Sequence, residues 1–246
     1  MEALFHLLGF TDLEDSPFPP TLLFNEGWLL RIILDWFSRN PVDDFVLGFS
    51  PEATWFSEAL LPTPFKALFK GDPHAEARTH ADGVIGHIFV GEQGKVDLSL
   101  APKASQFVAL EAKIGSPLAA GIKAAPTYDQ AARTVACMAE VLRLANRPPP
   151  TMSSLGYYVL APKEKIDAGL FEEALDPPAI RRKVEARAAE QSDGKRDWLS
   201  DWFAPLMDSI RISALAWEAV IQRVADQDKR SAKAIAHFYE SCLEFS

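Results

Sequence analysis

Apolar positions dominate the stretch from Trp28 to Phe37, where Trp28, Leu29, Leu30, Ile32, Ile33, Leu34, Trp36 and Phe37 leave almost no polar face. A helix over 26–38 with that pattern belongs in the interior. Asn25 stands at its N-cap position and Glu26 in its first turn, where the helix dipole favours a carboxylate. Residues 55–61 read as a strand closed by Pro62 and Pro64. Further strands are expected over 82–90, 95–100 and 106–114, with a turn at Gly91-Glu92-Gln93-Gly94 between the first two. A helix with a small-residue face follows over 128–142, ahead of Pro148-Pro149-Pro150, and Ser154 to Leu160 reads as another core strand. Helix, strands, helix, strand is the order of an α/β fold, so residues 21–165 are expected to form a mixed central sheet flanked by helices. Residues 1–20, ending in Ser16-Pro17-Phe18-Pro19-Pro20, read as an N-terminal arm. Residues 166–246 read as a helical C-terminal extension packed on that core. Its Trp198, Trp202, Phe203, Trp217, Phe238 and Tyr239 suit a cap or a homodimer contact.

One strand carries charge where the pattern is otherwise apolar. In Gln106 to Ser116, QFVALEAKIGS, Glu111 and Lys113 stand two residues apart. Strand side chains alternate faces, so these two emerge together while Val108, Leu110, Ala112 and Ile114 point the other way. A carboxylate beside an ammonium suits chemistry at a phosphodiester: the acid holds a hard divalent cation, and the amine orients a water or offsets charge in the transition state. Asp193-Gly194-Lys195 has the same spacing but lies in the polar stretch QSDGKRD with no strand to hold it. A second acid is offered by Asp97. If strand 95–100 folds back on 106–114, matching Val96, Leu98 and Leu100 with Val108 and Leu110 brings Asp97 to the face of Glu111 and Lys113.

Composition narrows the setting. The 246 residues suit one sizeable domain or a core with an appended subdomain. No uninterrupted apolar run approaches the roughly 18 to 20 residues that span a bilayer, and MEALFHLLGF carries an acid where a secretion signal carries bases. A cytoplasmic protein with no membrane partner is therefore expected. Cys137 and Cys242 form no metal-ligand spacing and are expected to be reduced. His80 and His87 are spaced so that neither a strand nor a helix aims both at one ion, which makes them structural or solvated. The net charge of −9 disfavours a generic nucleic-acid coat. Arg181, Arg182 and Lys183, and Lys229, Arg230 and Lys233, are local basic runs that either contact a substrate or form solvated helix faces.

An acid in an earlier strand, a strand reading apolar-Glu-x-Lys and a following helix with a glutamine together resemble the PD-(D/E)xK nuclease superfamily, the restriction-endonuclease-like fold. The resemblance covers about residues 20–162. It implies a Mg²⁺-dependent nuclease, with Mn²⁺ as substitute, acting on nucleic acid and on DNA in preference to RNA. Within it, Ala81-Asp82-Gly83-Val84-Ile85 looks like the PDxxI entry to a strand with alanine for proline, which makes Asp82 the principal acid and Asp97 an additional or alternative one. Asp82 requires strand 82–90 to lie beside 106–114, with 91–105 as an excursion. Asp82, Glu111 and a backbone carbonyl near Ala112 then hold the ion, and Lys113 positions the nucleophile. Gln130 and Arg133 on the following helix are the implied supporting residues near the phosphate. Glu26 in the first helix is a further implied acid, and Glu58 is a reserve ligand. Two other readings stay open: a non-catalytic module of this fold that binds nucleic acid or a protein partner, and a protein in which Glu111 and Lys113 form only an ion pair.

Overall fold

The computed structural model describes residues 19–245 except 68, 71, 73, 74, 77, 92–96, 122–124 and 192–194. Most of the expected N-terminal arm, the start of the expected strand 95–100, and Asp193 and Gly194 lie outside the described residues.

The chain forms an α/β fold around a five-stranded mixed sheet. Helix α1 (Glu26–Arg39) starts where the Asn25 side chain accepts a hydrogen bond from Trp28 N at 3.1 Å, and it buries Leu29, Leu30, Ile33, Leu34, Trp36 and Phe37. β1 (Thr54–Leu61) and β2 (Thr79–Gly86) are antiparallel, and β2 is antiparallel to β5 (Gln106–Ala112). Helix α2 (Gln130–Leu144) then crosses to β6 (Ser154–Ala161), which lies parallel to β5. Asp129 caps α2 by accepting from Ala132 N at 3.0 Å. β5 is buried along its whole length. Its Phe107 and Ala109 join the apolar cluster around α2, while Val108, Leu110 and Ala112 join the one around α1. A strand covered on both faces needs apolar residues on both, and Glu111 interrupts that pattern.

Between β2 and β5 the chain makes an excursion. β3 (Ile88–Val90) and β4 (Leu98–Leu100) pair with each other in a separate two-stranded sheet. This corrects the expectation that strand 95–100 folds back on 106–114. The place beside β5 is taken by β2, with Gly83 opposite Leu110 and Gly86 opposite Phe107. Gly86 permits that approach, because a Cβ there would meet Gln106 O at 2.3 Å. His87 anchors the root of the excursion: Nδ1 accepts from Ser105 N and Gln106 N at 3.3 Å each, and the other ring nitrogen lies 2.9 Å from Pro51 O.

The C-terminal region is not wholly helical. Helices α3 (Lys163–Asp167), α4 (Glu172–Leu175) and α5 (Pro177–Ala189) lead to α6 (Arg196–Trp198), a π-helical turn (Leu199–Phe203) and α7 (Ala204–Ser209). The chain then enters the central sheet as β7 (Arg211–Ala216), parallel to β6, giving the strand order β1-β2-β5-β6-β7. Residues 166–246 are thus partly a component of the sheet and not only an extension packed on it. Helices α8 (Trp217–Ala225) and α9 (Lys229–Glu244) cover the α1 side. Trp198, Phe203, Trp217 and Tyr239 are buried in the two cores, and Trp202 and Phe238 pack against them, so these aromatics serve the interior of one chain. Among the described residues no helix is long and apolar enough to cross a membrane.

Candidate functional site

Three of the expected side chains converge where β2 and β5 run side by side. Lys113 Nζ stands 4.0 Å from Asp82 Oδ2 and 3.9 Å from Glu111 Oε2. Each position has a backbone cause. Glu111 lies on the α2 face of β5 by strand alternation. Asp82 is fixed by Ala112 N, which donates to Oδ2 at 2.8 Å across the two strands. Lys113 is held from both ends of its peptide: its N–H donates to Leu160 O at 2.8 Å, and its carbonyl accepts from the Trp217 indole at 2.9 Å.

Glu111 is fully buried, and helix α2 supports both of its oxygens. Gln130 Nε2 donates to Oε2 at 2.6 Å, and Thr134 Oγ1 donates to Oε1 at 3.3 Å. Gln130 is itself tied to the preceding loop, since Ala119 N donates to its Oε1 at 2.9 Å. Burial pushes the Glu111 carboxyl well above the usual carboxylate range. The nearby Asp82 charge and a hydrogen bond with Asp82 add to the rise, which Lys113 and Thr134 oppose. Tyr157, on the neighbouring strand, is raised by burial and then by Glu111, Asp129 and Asp82, so its phenol stays protonated.

This arrangement suits a hard cation. Burial and the neighbouring Asp82 charge raise the proton affinity of Glu111, and a cation placed between the two carboxyl groups would offset the same charge. Lys113 sits beyond direct hydrogen-bond reach of both, at a distance spanned by an intervening ligand or water. Among the described residues no group of three or more His, Cys, Asp or Glu side chains converges on a point. A cation would thus take Asp82 and Glu111 from the protein and the rest of its shell from water and substrate, as Mg²⁺ habitually does. The Asp82 and Lys113 side chains are 25% and 13% exposed, so the site is reached from their side and not through Glu111.

The other expected residues lie elsewhere. Asp97 is not brought to Glu111: it bridges to Leu60 and is ion-paired with Arg78, because β4 pairs with β3 and not with β5. Glu58 stands across from Asp82, between the pairs Ser57–Gly83 and Ala59–Ala81, but its side chain faces Arg31 at 3.4 Å and His80 at 3.9 Å. Glu26 influences Cys242 on α9. Arg133 acts on Glu76, Tyr128 and Cys137. The reason is helical geometry: from Gln130, position 134 lies about 40° round the axis and position 133 about 60° the opposite way. Thr134 lies one turn beyond Gln130 on that face, but a threonine among small residues carries no chemical signature that would single it out in the sequence. Of the basic runs, Lys183 is paired with Asp129 at 2.7 Å and Arg181 with Asp208 at 2.9 Å.

No protein-family model, curated protein or solved structure matches the chain.

Proposed function

We propose that the protein is a metal-dependent nuclease that hydrolyses phosphodiester bonds, in DNA in preference to RNA, along the lines of the PD-(D/E)xK enzymes that its Asp82, Glu111 and Lys113 resemble. The observation that carries this reading is the placement of Lys113 Nζ about equally far from Asp82 and Glu111, at 4.0 and 3.9 Å, on two paired strands. Held by Asp82 and Glu111, Mg²⁺, or Mn²⁺ in its place, would lower the pKa of a water and offset charge on the phosphate. Lys113 then orients the attacking water toward phosphorus and neutralises charge on the phosphoryl oxygens as the P–O bond to the leaving group breaks. Gln130 and Thr134 position Glu111, and burial of that carboxyl strengthens every electrostatic contact around it.

The test is cleavage of DNA and RNA with Mg²⁺ or Mn²⁺ by the wild type, Glu111→Ala and Lys113→Ala, with circular dichroism to show that each variant is folded. Both substitutions are expected to reduce cleavage to background, and full cleavage by either folded variant would overturn the assignment. The burial of Glu111 favours one other reading, a non-catalytic module that binds nucleic acid or a protein partner, because its oxygens are already satisfied by Gln130 and Thr134. Calorimetric titration with Mn²⁺ separates the two: one bound ion, lost in Glu111→Ala, supports the nuclease, and absence of binding supports the module.

A further inference from the structure

A second concavity lies on the α2 face of the sheet, the face that carries Glu111. It is a cleft of about 740 Å³ between the 62–78 segment, the β3–β4 hairpin and the C-terminal end of α2. Sites for small organic ligands fall in the range of about 300–1,000 Å³. Its apolar walls include Val141, Leu144 and Phe89. Leu144 and Phe89 are 52% and 46% exposed, so both offer apolar surface to the cleft.

The polar groups of the cleft narrow the chemistry of a ligand there. Asp97 engages Arg78 through Oδ1, while its Oδ2 is buried with no hydrogen-bond partner among the described residues. Asp97 as a whole is only 9% exposed. A buried acceptor without a donor is uncommon, and a water or a ligand N–H or O–H would complete it. The Arg78 guanidinium beside it is partly exposed and adds donors, and Lys66 supplies an exposed cation. A flat ligand with apolar faces, amino and carbonyl groups on its edge and an attached phosphate matches this set. An acyl chain would cover Phe89 and Leu144 but leave Asp97 Oδ2 without a donor. Position agrees as well. Arg78 precedes Asp82 by four residues, so their Cα atoms are no more than about 14 Å apart. That is about four nucleotides of a strand rising ~3.4 Å each.

We infer that this cleft seats an unpaired nucleobase of the substrate strand, one bearing an exocyclic amino group, within a few nucleotides of the scissile bond. The inference rests on the nuclease reading. The base lies against Phe89 and Leu144, its amino group donates to Asp97 Oδ2, Arg78 meets its acceptor edge, and Lys66 meets a phosphate.

The test is fluorescence anisotropy with short labelled oligo-dC, oligo-dA and oligo-dT in EDTA, which removes cleavage from the readout. Oligo-dC and oligo-dA are expected to bind more tightly than oligo-dT. Phe89→Ala, a change at an exposed position, should weaken both by about 5- to 100-fold. Asp97→Asn, which offers a donor as well as an acceptor, should move the preference toward oligo-dT. Equal binding of the three oligonucleotides, wild-type affinity in Phe89→Ala, or no binding by the wild type would overturn the inference. Cleavage assayed in parallel keeps the two readings apart. Wild-type cleavage with an indifferent cleft removes the cleft alone, whereas the predicted binding pattern without cleavage retains the cleft and removes the nuclease.

Discussion

Glu111 holds its proton more tightly in the folded protein than it would in water. Its burial and its neighbour Asp82 both favour the protonated form, so the folded protein binds a proton there that the unfolded chain releases at about 4.5, the ordinary value for this side chain. Stability contributed by that proton is lost as pH rises above the unfolded value toward the elevated folded one, at about 1.4 kcal/mol for each tenfold change in the acid constant. Glu111→Gln keeps the shape without the titration. Thermal melts should therefore show the wild type losing ground to Glu111→Gln as pH rises above about 4.5, and a pH-independent difference would contradict the elevated carboxyl. A cation bound at the same carboxyls must displace this proton. Apparent Mn²⁺ affinity should rise with pH over the same window, with proton release detectable by calorimetry in buffers of different ionisation enthalpy. The Glu111–Lys113 pair was legible because two charges broke an apolar strand with period two. The Glu111–Thr134 contact was not, since it depends on the angle at which α2 crosses the sheet.

Among the elements, β1 carries a local irregularity beside the site. Glu58 lies in the left-handed region at φ 59°, and the alternation of β1 shifts there, so that Phe56 and Ala59 turn to the same face. The kink stands directly across from Asp82. Replacing Glu58 by valine, a better strand former by propensity, should destabilise the fold by about 1–3 kcal/mol, because a β-branched side chain resists that conformation. Glycine should be tolerated at little cost. Denaturant melts of the two variants read this directly, and equal stabilities would show that the kink relaxes. The sequence pattern predicts β1, β5 and β6 closely because each is a run of strand formers bounded by proline, glycine or serine. It misplaces β4 because three-residue strands carry too little periodicity to choose a partner. It misses β7 because Arg-Ile-Ser-Ala-Leu-Ala is alanine-containing and sits between helical segments. What makes it a strand is the open edge of β6, which appears only once the sheet has formed.

At the scale of the whole molecule, the sheet divides the interior in two, and the two halves are built from different parts of the chain. The α1 side is closed by α8 and α9, with Phe24 near α1 meeting Phe238 at 5.2 Å and Phe245 at 5.6 Å. Ending the chain before β7 would uncover the edge of β6 and remove Trp217, Val220, Val224, Ile235 and Tyr239 from that core. Burial of this many large side chains contributes about 10 kcal/mol, comparable with the whole stability of a domain. Such a fragment should show no cooperative thermal transition by circular dichroism; a sharp one would mean that the C-terminal region is dispensable. The hydrogen bond from the Trp217 indole to the Lys113 carbonyl gives this dependence a timing. During synthesis, β5 and the adjoining Lys113 leave the ribosome about a hundred residues before the tryptophan that bonds the Lys113 carbonyl. The growing polypeptide therefore carries an unfinished site over that interval, and the Lys113 carbonyl gains its indole donor only once the start of α8 has been made.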